Sequence, residues 1–167
     1  MSDIPSTPAD GNMTVLVVPA IADPAAPTTA ELTGDAVIDI SCYLTGDGWS
    51  PSQEQATISD SRLCSRETYA RPGQKSSSLE LTYIDNTNSV YKEDNLAAET
   101  LVEGSDHYLV VRRGVPYEEP MASGQIVQVW PVTAGMQRDV PIEANSVIRT
   151  VQGMFVRSAV TRGTVAA

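Results

Sequence analysis

The stretch Ser78–Ile84, with the sequence SLELTYI, decides the fold class of this chain. Its apolar residues Leu79, Leu81 and Tyr83 alternate with polar ones, a period of two that is typical of a β-strand with one buried face. Segments on both sides of it repeat this pattern and are interrupted by turn residues rather than by helical repeats. The sequence therefore predicts an all-β protein.

Short apolar or alternating runs on either side of Ser78–Ile84 are predicted to be further strands. They are rich in β-branched residues, which favour strands. Thr45–Ser50, followed by Pro51, and Asp139–Asn145 are predicted to be turns between them. The further predicted strands are Met13–Ile21, Ala36–Leu44, Gln53–Asp60, His107–Arg113, Ile126–Val132 and Val147–Val160.

One short helix is predicted over Leu96–Glu103. Asp94 or Asn95 can cap its N-terminus, and Gly104 is expected to end it. Together with roughly seven or eight strands, this helix predicts a β-sandwich or a partly closed barrel.

The chain is expected to hold one folded domain with an arm at each end. Residues 1–12 are polar and contain proline, which indicates a flexible N-terminal arm, and residues 22–35 are expected to be extended or disordered. Residues 13–160 form the predicted β domain, and residues 161–167 form a C-terminal tail.

Acidic residues outnumber basic ones by 21 to 11, which gives a formal net charge of −10. Residues 1–60 contain nine acids and neither lysine nor arginine. A protein that grips nucleic acid normally has a basic excess, because phosphate contacts dominate such binding. This composition argues against tight DNA binding. It is compatible with a surface that DNA passes without adhering, or with an acidic excess that only keeps the protein soluble.

The segment Ser61–Ser77 shows no sustained period and contains a Pro-Gly pair, so it is predicted to be a long loop. It holds four of the eleven bases. One interpretation is an assembly contact with acids of an adjacent copy, since the planar arginine head pairs with carboxylates at fixed geometry. The other is a solvated, flexible loop. The charge asymmetry also suits head-to-tail stacking of copies. The residues assigned to this contact are Arg62, Arg66, Tyr69, Arg71 and Lys75.

No catalytic or metal-binding residue is predicted. His107 is the only histidine, and no G-x-S-x-G motif provides a nucleophile on a sharp turn. Cys42 and Cys64 cannot form a four-ligand zinc site with one histidine, and they are expected to be small buried apolar residues. No cofactor is expected either. The sequence shows no secretory signal and no apolar run of membrane-spanning length, so we expect a soluble protein made in the cytosol, without a membrane partner.

The central sequence TISDSRLCSRETYARPGQKSSSLELTYIDN, residues 57–86, resembles the major tail proteins of siphophages that infect actinobacteria. The best matching parts are the segment I-x-D-x-R-L-C at residues 58–64 and the R-P-G at residues 71–73. The stretches GDAVIDISCYLTGDGWSPSQ and DHYLVVRRG, residues 34–53 and 106–114, resemble the same family. The likeness extends from about residue 13 to residue 160.

This resemblance implies a non-enzymatic virion protein that builds the tail tube. In the family, six copies form a ring around a lumen that is typically acidic, strands of all subunits combine into a barrel, and rings stack into a tube. A long loop reaches a neighbouring subunit or ring, and Ser61–Ser77 is the candidate here. The terminal arms often lock neighbouring subunits together. The implied partners are further copies of the chain, the tape measure, tip and terminator proteins of the tail, and phage DNA that passes without specific binding.

Two alternatives remain open at this stage. The first is another β-rich virion component, such as a head decoration or connector protein. The second is a β-sandwich binding module for a carbohydrate or receptor. The low aromatic content of 5% argues against the second, because sugar sites usually stack on exposed aromatic rings, and only Trp49 and Trp130 could serve.

Overall fold

A computed structural model describes residues 2–167 of the chain. Within these residues there are eight strands and two short helices, with the following bounds. They are β1 (Met13–Val18), α1 (Thr29–Thr33), β2 (Ile38–Asp39), β3 (Leu44–Asp60), β4 (Tyr69–Ile84), α2 (Leu96–Thr100), β5 (Asp106–Arg113), β6 (Ile126–Asp139), β7 (Arg149–Val156) and β8 (Thr161–Thr164).

The strands form one antiparallel sheet in the order β2-β1-β5-β6-β7-β4-β3, and β8 pairs with β6 beside this path. The sheet curls into a half-barrel. The all-β prediction is therefore confirmed, in the form of the partly closed barrel. Two helices occur where one was expected.

The sheet has an apolar core on each face. On one face, Leu81, Leu109 and Trp130 are fully buried and are covered by Ala97 and Leu101, at and just after α2. A helix of five residues is too short to be stable by itself, so these buried contacts hold it in place. The second core lies where α1 covers strands β1, β5 and β6, and it contains Leu16, Val18, Leu32, Val110, Val127 and Val129.

Helix α1 lies in the segment 22–35, where the sequence predicted extended or disordered chain. Its N-terminus carries a capping box, in which Thr28 Oγ1 accepts from the backbone N–H of Glu31 and the Glu31 carboxylate accepts from that of Thr28. Backbone hydrogen bonds from Thr28 and Ala22 lower the pKa of Glu31. The T-x-x-E spacing of this box is the sequence signal that the prediction overlooked.

Several of the predicted strand boundaries are wrong. Strand β1 ends at Val18 rather than at Ile21, and β6 continues past Val132 to Asp139. The strand expected over Ala36–Leu44 is reduced to β2, because the chain turns after Asp39. Thr45–Ser50 is not a turn but lies inside β3, where a register shift lies between Leu44 and Trp49. Of the predicted strand Val147–Val160, only Arg149–Val156 form a strand, β7, and residues 157–160 connect it to β8.

The end of the chain belongs to the sheet. Thr161–Thr164, assigned from sequence to a C-terminal tail, form β8 and pair with Ile126–Val129. Val165 is buried at 2% exposure in the core beneath α1. The chain of the predicted domain therefore continues past residue 160. Of the predicted N-terminal arm, residue 1 lies outside the described residues.

Two further expectations differ from the structure. Helix α2 ends at Thr100 rather than at Glu103, although it begins at the expected position, just after Asn95. Cys42 and Cys64 are both exposed free thiols, so the expectation that they are buried is wrong. In the described part of the chain, neither helix has the length and apolar character needed to cross a membrane.

Candidate functional site

The most unusual feature of the fold is a long hairpin made by the ends of β3 and β4. Strand β7 pairs with β4 only along Leu79–Ile84, so beyond that point β3 and β4 continue as a two-stranded ribbon. We call residues 51–78 the outer hairpin. The predicted loop Ser61–Ser77 is only partly a loop, because β4 begins at Tyr69.

The whole outer hairpin is solvent-exposed on both of its faces. None of residues 51–78, all of which the structure describes, is buried. Its larger apolar residues Ile58, Leu63 and Tyr69 are 51%, 108% and 62% exposed. A two-stranded hairpin is only marginally stable in water, and its exposed edges offer unpaired backbone groups to another chain. This element therefore has the character of a contact surface.

Strand β4 contains a bulge in the middle of this hairpin. Gln55 pairs with Lys75 but Thr57 pairs with Pro72, so two residues of β4 face one residue of β3. At Gly73 a Cβ atom would lie 2.9 Å from the carbonyl oxygen of Ala56, closer than a side chain tolerates. Glycine is therefore required for the strands to approach here, and the bulge bends the ribbon and increases its twist.

Three of the five predicted contact residues form short-range pairs at the hairpin tip. Asp60 accepts hydrogen bonds from Arg62 Nε and Nη2 at 3.0 and 3.2 Å, and from Arg71 Nη2 at 3.4 Å. The bond to Asp60 raises the pKa of Arg62. Tyr69 donates its hydroxyl to a carboxylate oxygen of Glu67 at 3.1 Å.

The remaining two contact residues, Arg66 and Lys75, make no ion pair in residues 2–167. The structure thus brings Arg62 and Arg71 together through Asp60 and leaves Arg66 and Lys75 with free charges. Exposed ion pairs such as those of Asp60 with Arg62 and Arg71 contribute little to stability. The fold of the single chain therefore does not explain why so many basic residues lie on this hairpin.

The root of the hairpin is anchored by an aromatic pair. The rings of Trp49, in β3, and of Trp130, in β6, have centroids 5.9 Å apart at an angle of 89°. This edge-to-face arrangement is favoured by the ring quadrupoles. Trp130 is fully buried, and its indole N–H donates to Gln128 Oε1 at 3.1 Å. The ribbon is therefore joined to the rigid core rather than to a loop.

An open groove runs beside the hairpin root, where β4 and β7 diverge. Its volume is about 780 Å³, and Ser76, Ser77 and residues 156–160 line it together with Gln53, Glu54, Gln55 and Lys75. This lining contains no nucleophile paired with a base, so the groove has the features of a surface cleft and not of a reaction site.

The chemistry of His107 does not indicate catalysis. Its Nε2 lies 2.8 Å from Ser105 Oγ, but that hydroxyl donates to the carbonyl of Val102 at 2.5 Å. Ser105 thus accepts from His107, the reverse of what a serine nucleophile requires. Burial lowers the pKa of His107. Among residues 2–167, no cluster of three or more His, Cys, Asp or Glu could hold a metal ion.

Comparisons with known proteins bear on this site. A family model described as phage tail tube protein matches residues 1–167. No curated protein matches the chain. Among solved structures, the chain is similar to a chain in the cryo-EM structure of the anti-feeding prophage baseplate, which was symmetrised six-fold. The identity is 13%, the match covers 94% of this chain and 96% of that one, and the TM-score is 0.50, which shows a shared fold.

Proposed function

The chain belongs to the phage tail tube protein family and is a structural component of a phage tail, and from this we propose that it self-assembles into stacked rings that form the tube through which DNA passes into the host. The rings contain six copies. This number is implied by the resemblance described above and is in keeping with the six-fold symmetry of the baseplate that shares the fold.

The observation that carries this proposal is the outer hairpin. Its strands are exposed on both faces, its tip carries three exposed apolar side chains, and its arginines have no partner deep in their own chain. Exposure of these apolar groups and strand edges to water is unfavourable, and another subunit that covers them stabilises the hairpin. Tyrosine and arginine, both present at the tip, are enriched in protein interfaces.

The role of the tube toward DNA is passive. The chain carries a net charge of −10, so the wall that it builds repels the phosphate backbone rather than binding it. We propose the tape measure, tip and terminator proteins of the tail as further partners, and synthesis in the host cytoplasm before incorporation into the virion. Residues 1–12 act as an arm that contacts a neighbouring copy.

The test is negative-stain electron microscopy of the purified protein, with and without tail tip components. We expect hollow tubes or six-membered rings. The double variant Arg66→Glu, Arg71→Glu reverses two charges of the hairpin tip and should reduce the mass of tubes at least tenfold.

A matched control carries the same change of charge at the root of the hairpin rather than at its tip, because Arg113 and Arg162 line a groove there with Pro51 and Gln53. Arg113→Glu, Arg162→Glu replaces two exposed arginines that form no ion pair within residues 2–167, and it should assemble as the wild type does. Tubes of normal yield from the hairpin variant would contradict the role of the tip. Persistent monomers of the wild type would instead favour a head decoration or connector protein, or a binding module.

A further inference from the structure

We propose that the hairpin tip of one copy, residues 58–71, docks on the opposite end of the next copy, a surface that we call the acceptor end. The acceptor end consists of residues 85–99, the connection from β4 together with most of α2, and residues 139–148, the last residue of β6 with the connection to β7. This inference rests on the proposed self-assembly and names the surface that receives the hairpin.

The two surfaces lie at opposite ends of one long strand. Strand β4 begins at the tip with Tyr69 and ends at Ile84, and the acceptor end follows directly. A strand of this length spans about 50 Å at roughly 3.3 Å per residue. The second acceptor segment lies beside the first, because the N–H of Asp85 donates to the carbonyl of Ile148 at 3.1 Å.

Both surfaces expose apolar side chains that the single chain leaves uncovered. At the tip these are Ile58, Leu63 and Tyr69. Clusters of exposed apolar side chains on a protein surface often mark a site where another protein binds. At the acceptor end the exposed apolar residues are Val90 at 89%, Tyr91 at 66%, Ile142 at 89%, Val147 at 61% and Ile148 at 66%.

The charges of the two surfaces are opposite. The outer hairpin from residue 60 to residue 75 carries four bases and two acids, and the acids Asp60 and Glu67 already bind tip residues. The acceptor end carries the base Lys92 and an excess of acids. Arg138 and Arg149 border it, and they pair with Glu80 at 3.0 Å and with Glu143 at 4.0 Å. The exposed acids at the acceptor end are Glu93, Asp94, Glu99, Asp139 and Glu143.

This arrangement specifies a head-to-tail contact. Two tips repel each other, as do two acceptor ends, so a symmetric pair of either kind is disfavoured. When a tip docks on an acceptor end, opposite charges pair and exposed apolar side chains become buried. The resulting pair of copies still has one free tip and one free acceptor end. Such a contact repeats without limit and generates a filament.

The test is a charge exchange between two variants. The tip variant, Arg66→Glu, Arg71→Glu, changes one base that has no ion pair in the described chain and one that pairs with Asp60 at 3.4 Å. The acceptor variant is Glu93→Arg, Asp94→Arg. Each alone should show at least a tenfold loss of oligomers in sedimentation velocity. An equimolar mixture should regain at least half of the wild-type amount, because every tip in the mixture can then find an acceptor end of opposite charge.

The control variant Asp35→Arg, Glu118→Arg makes the same charge change as the acceptor variant at two exposed acids outside the acceptor end. Because its tip and its acceptor end are unchanged, it should form oligomers by itself in the wild-type amount. That result would show that the loss in the acceptor variant depends on the position of the two acids and not on the net charge. Circular dichroism establishes that each variant is folded before mixing.

The outcomes separate this inference from the proposed function. If the acceptor variant assembles as the wild type does, or if mixing restores nothing, the tip–acceptor contact is wrong, whereas wild-type tubes would still support the tail tube role. If mixing restores oligomers but the wild type forms no tubes by electron microscopy, the contact stands and the tube proposal falls.

Discussion

At the scale of single residues, Arg112 is the charged side chain on which the most structure depends. It lies in β5 at 1% exposure, and burial lowers its pKa. Its guanidinium donates to the carbonyls of Pro116, Glu119 and Pro120 at 3.1, 2.8 and 3.1 Å, and also to Thr14 and Gln125. One side chain thus fixes the connection between β5 and β6, which contains two prolines and has no strand pairing of its own.

We expect Arg112→Met to lower the free energy of unfolding by about 3 kcal/mol, because three carbonyl oxygens lose a charged donor. Urea unfolding of the monomeric protein measures this difference. The adjacent Arg113 is exposed, so Arg113→Met should change stability by less than about 0.5 kcal/mol. Equal effects of the two substitutions would show that the buried hydrogen bonds do not support the connection.

The burial of single residues can be predicted where it produces an alternation of apolar and polar residues in the sequence, and cannot be predicted elsewhere. Leu79, Leu81 and Tyr83, predicted to face the interior, are all buried. The cysteines were expected to be buried because of their type, and Cys64 is exposed because it lies in the turn of a ribbon without a core. Residue type alone does not contain that information. Arg112 could not be identified from the sequence, since its partners are carbonyls of a connection about four to eight residues away.

At the scale of elements, the outer hairpin is expected to be the least stable part of the isolated molecule. Its backbone is held by one set of inter-strand hydrogen bonds with no packing above or below. Hydrogen exchange of the monomer should therefore show little protection of backbone amides in residues 51–60 and 69–78. Strand β5 and residues 127–135 of β6, buried on both faces, should be strongly protected.

The same measurement on assembled tubes should show slower exchange in the outer hairpin by at least a hundredfold. Strands β5 and β6 provide the internal reference, since their burial does not depend on a partner. A hairpin that exchanges equally fast in monomer and tube would rule out its burial between copies.

The hairpin also shows why some elements escaped prediction. Alternation of apolar and polar residues records which face is buried, and Tyr69–Ser77 has no buried face, so the strand was interpreted as a loop. Strand β5 was predicted within one residue because its apolar run is buried on both sides. The sequence assigns Thr161–Thr164 to a C-terminal tail because four residues are too few to show an alternating pattern, and only the pairing with Ile126–Val129 identifies them as β8.

At the scale of the whole molecule, the acidic excess governs the encounter with DNA. We expect the wild-type protein to show no saturable binding to a short DNA duplex in fluorescence anisotropy, even at about 50 mM salt, where phosphate contacts are strongest. The net charge of −10 opposes the approach of another polyanion.

A variant with a reversed balance provides the comparison for this experiment. Replacing six exposed acids of residues 1–60 with lysine changes the formal net charge from −10 to about +2 and should bring salt-dependent retention of DNA. These acids are Asp3, Asp10, Asp23, Asp35, Asp47 and Glu54. Saturable binding of the wild type at micromolar concentration would contradict passive conduction.

The family was recognisable from sequence, whereas the arrangement of strands was not. The central segment from residue 57 to residue 86 carried the resemblance, and the family match extends over the whole chain. The sheet order, in which β4 lies between β7 and β3, depends on pairings between strands far apart in sequence. The position of the acceptor end follows from that order, so the contact proposed for it required the structure.

The edge-to-face pair of Trp49 and Trp130 has a practical consequence. These are the two tryptophans of the chain, and both lie at the root of the hairpin. Their fluorescence, and the signal of coupled indoles in near-ultraviolet circular dichroism, depend on the distance and angle between the rings. The protein therefore contains an intrinsic spectroscopic probe of the orientation of the hairpin relative to the core. Assembly can therefore be followed in real time without an attached dye, through the fluorescence of the two tryptophans at the hairpin root.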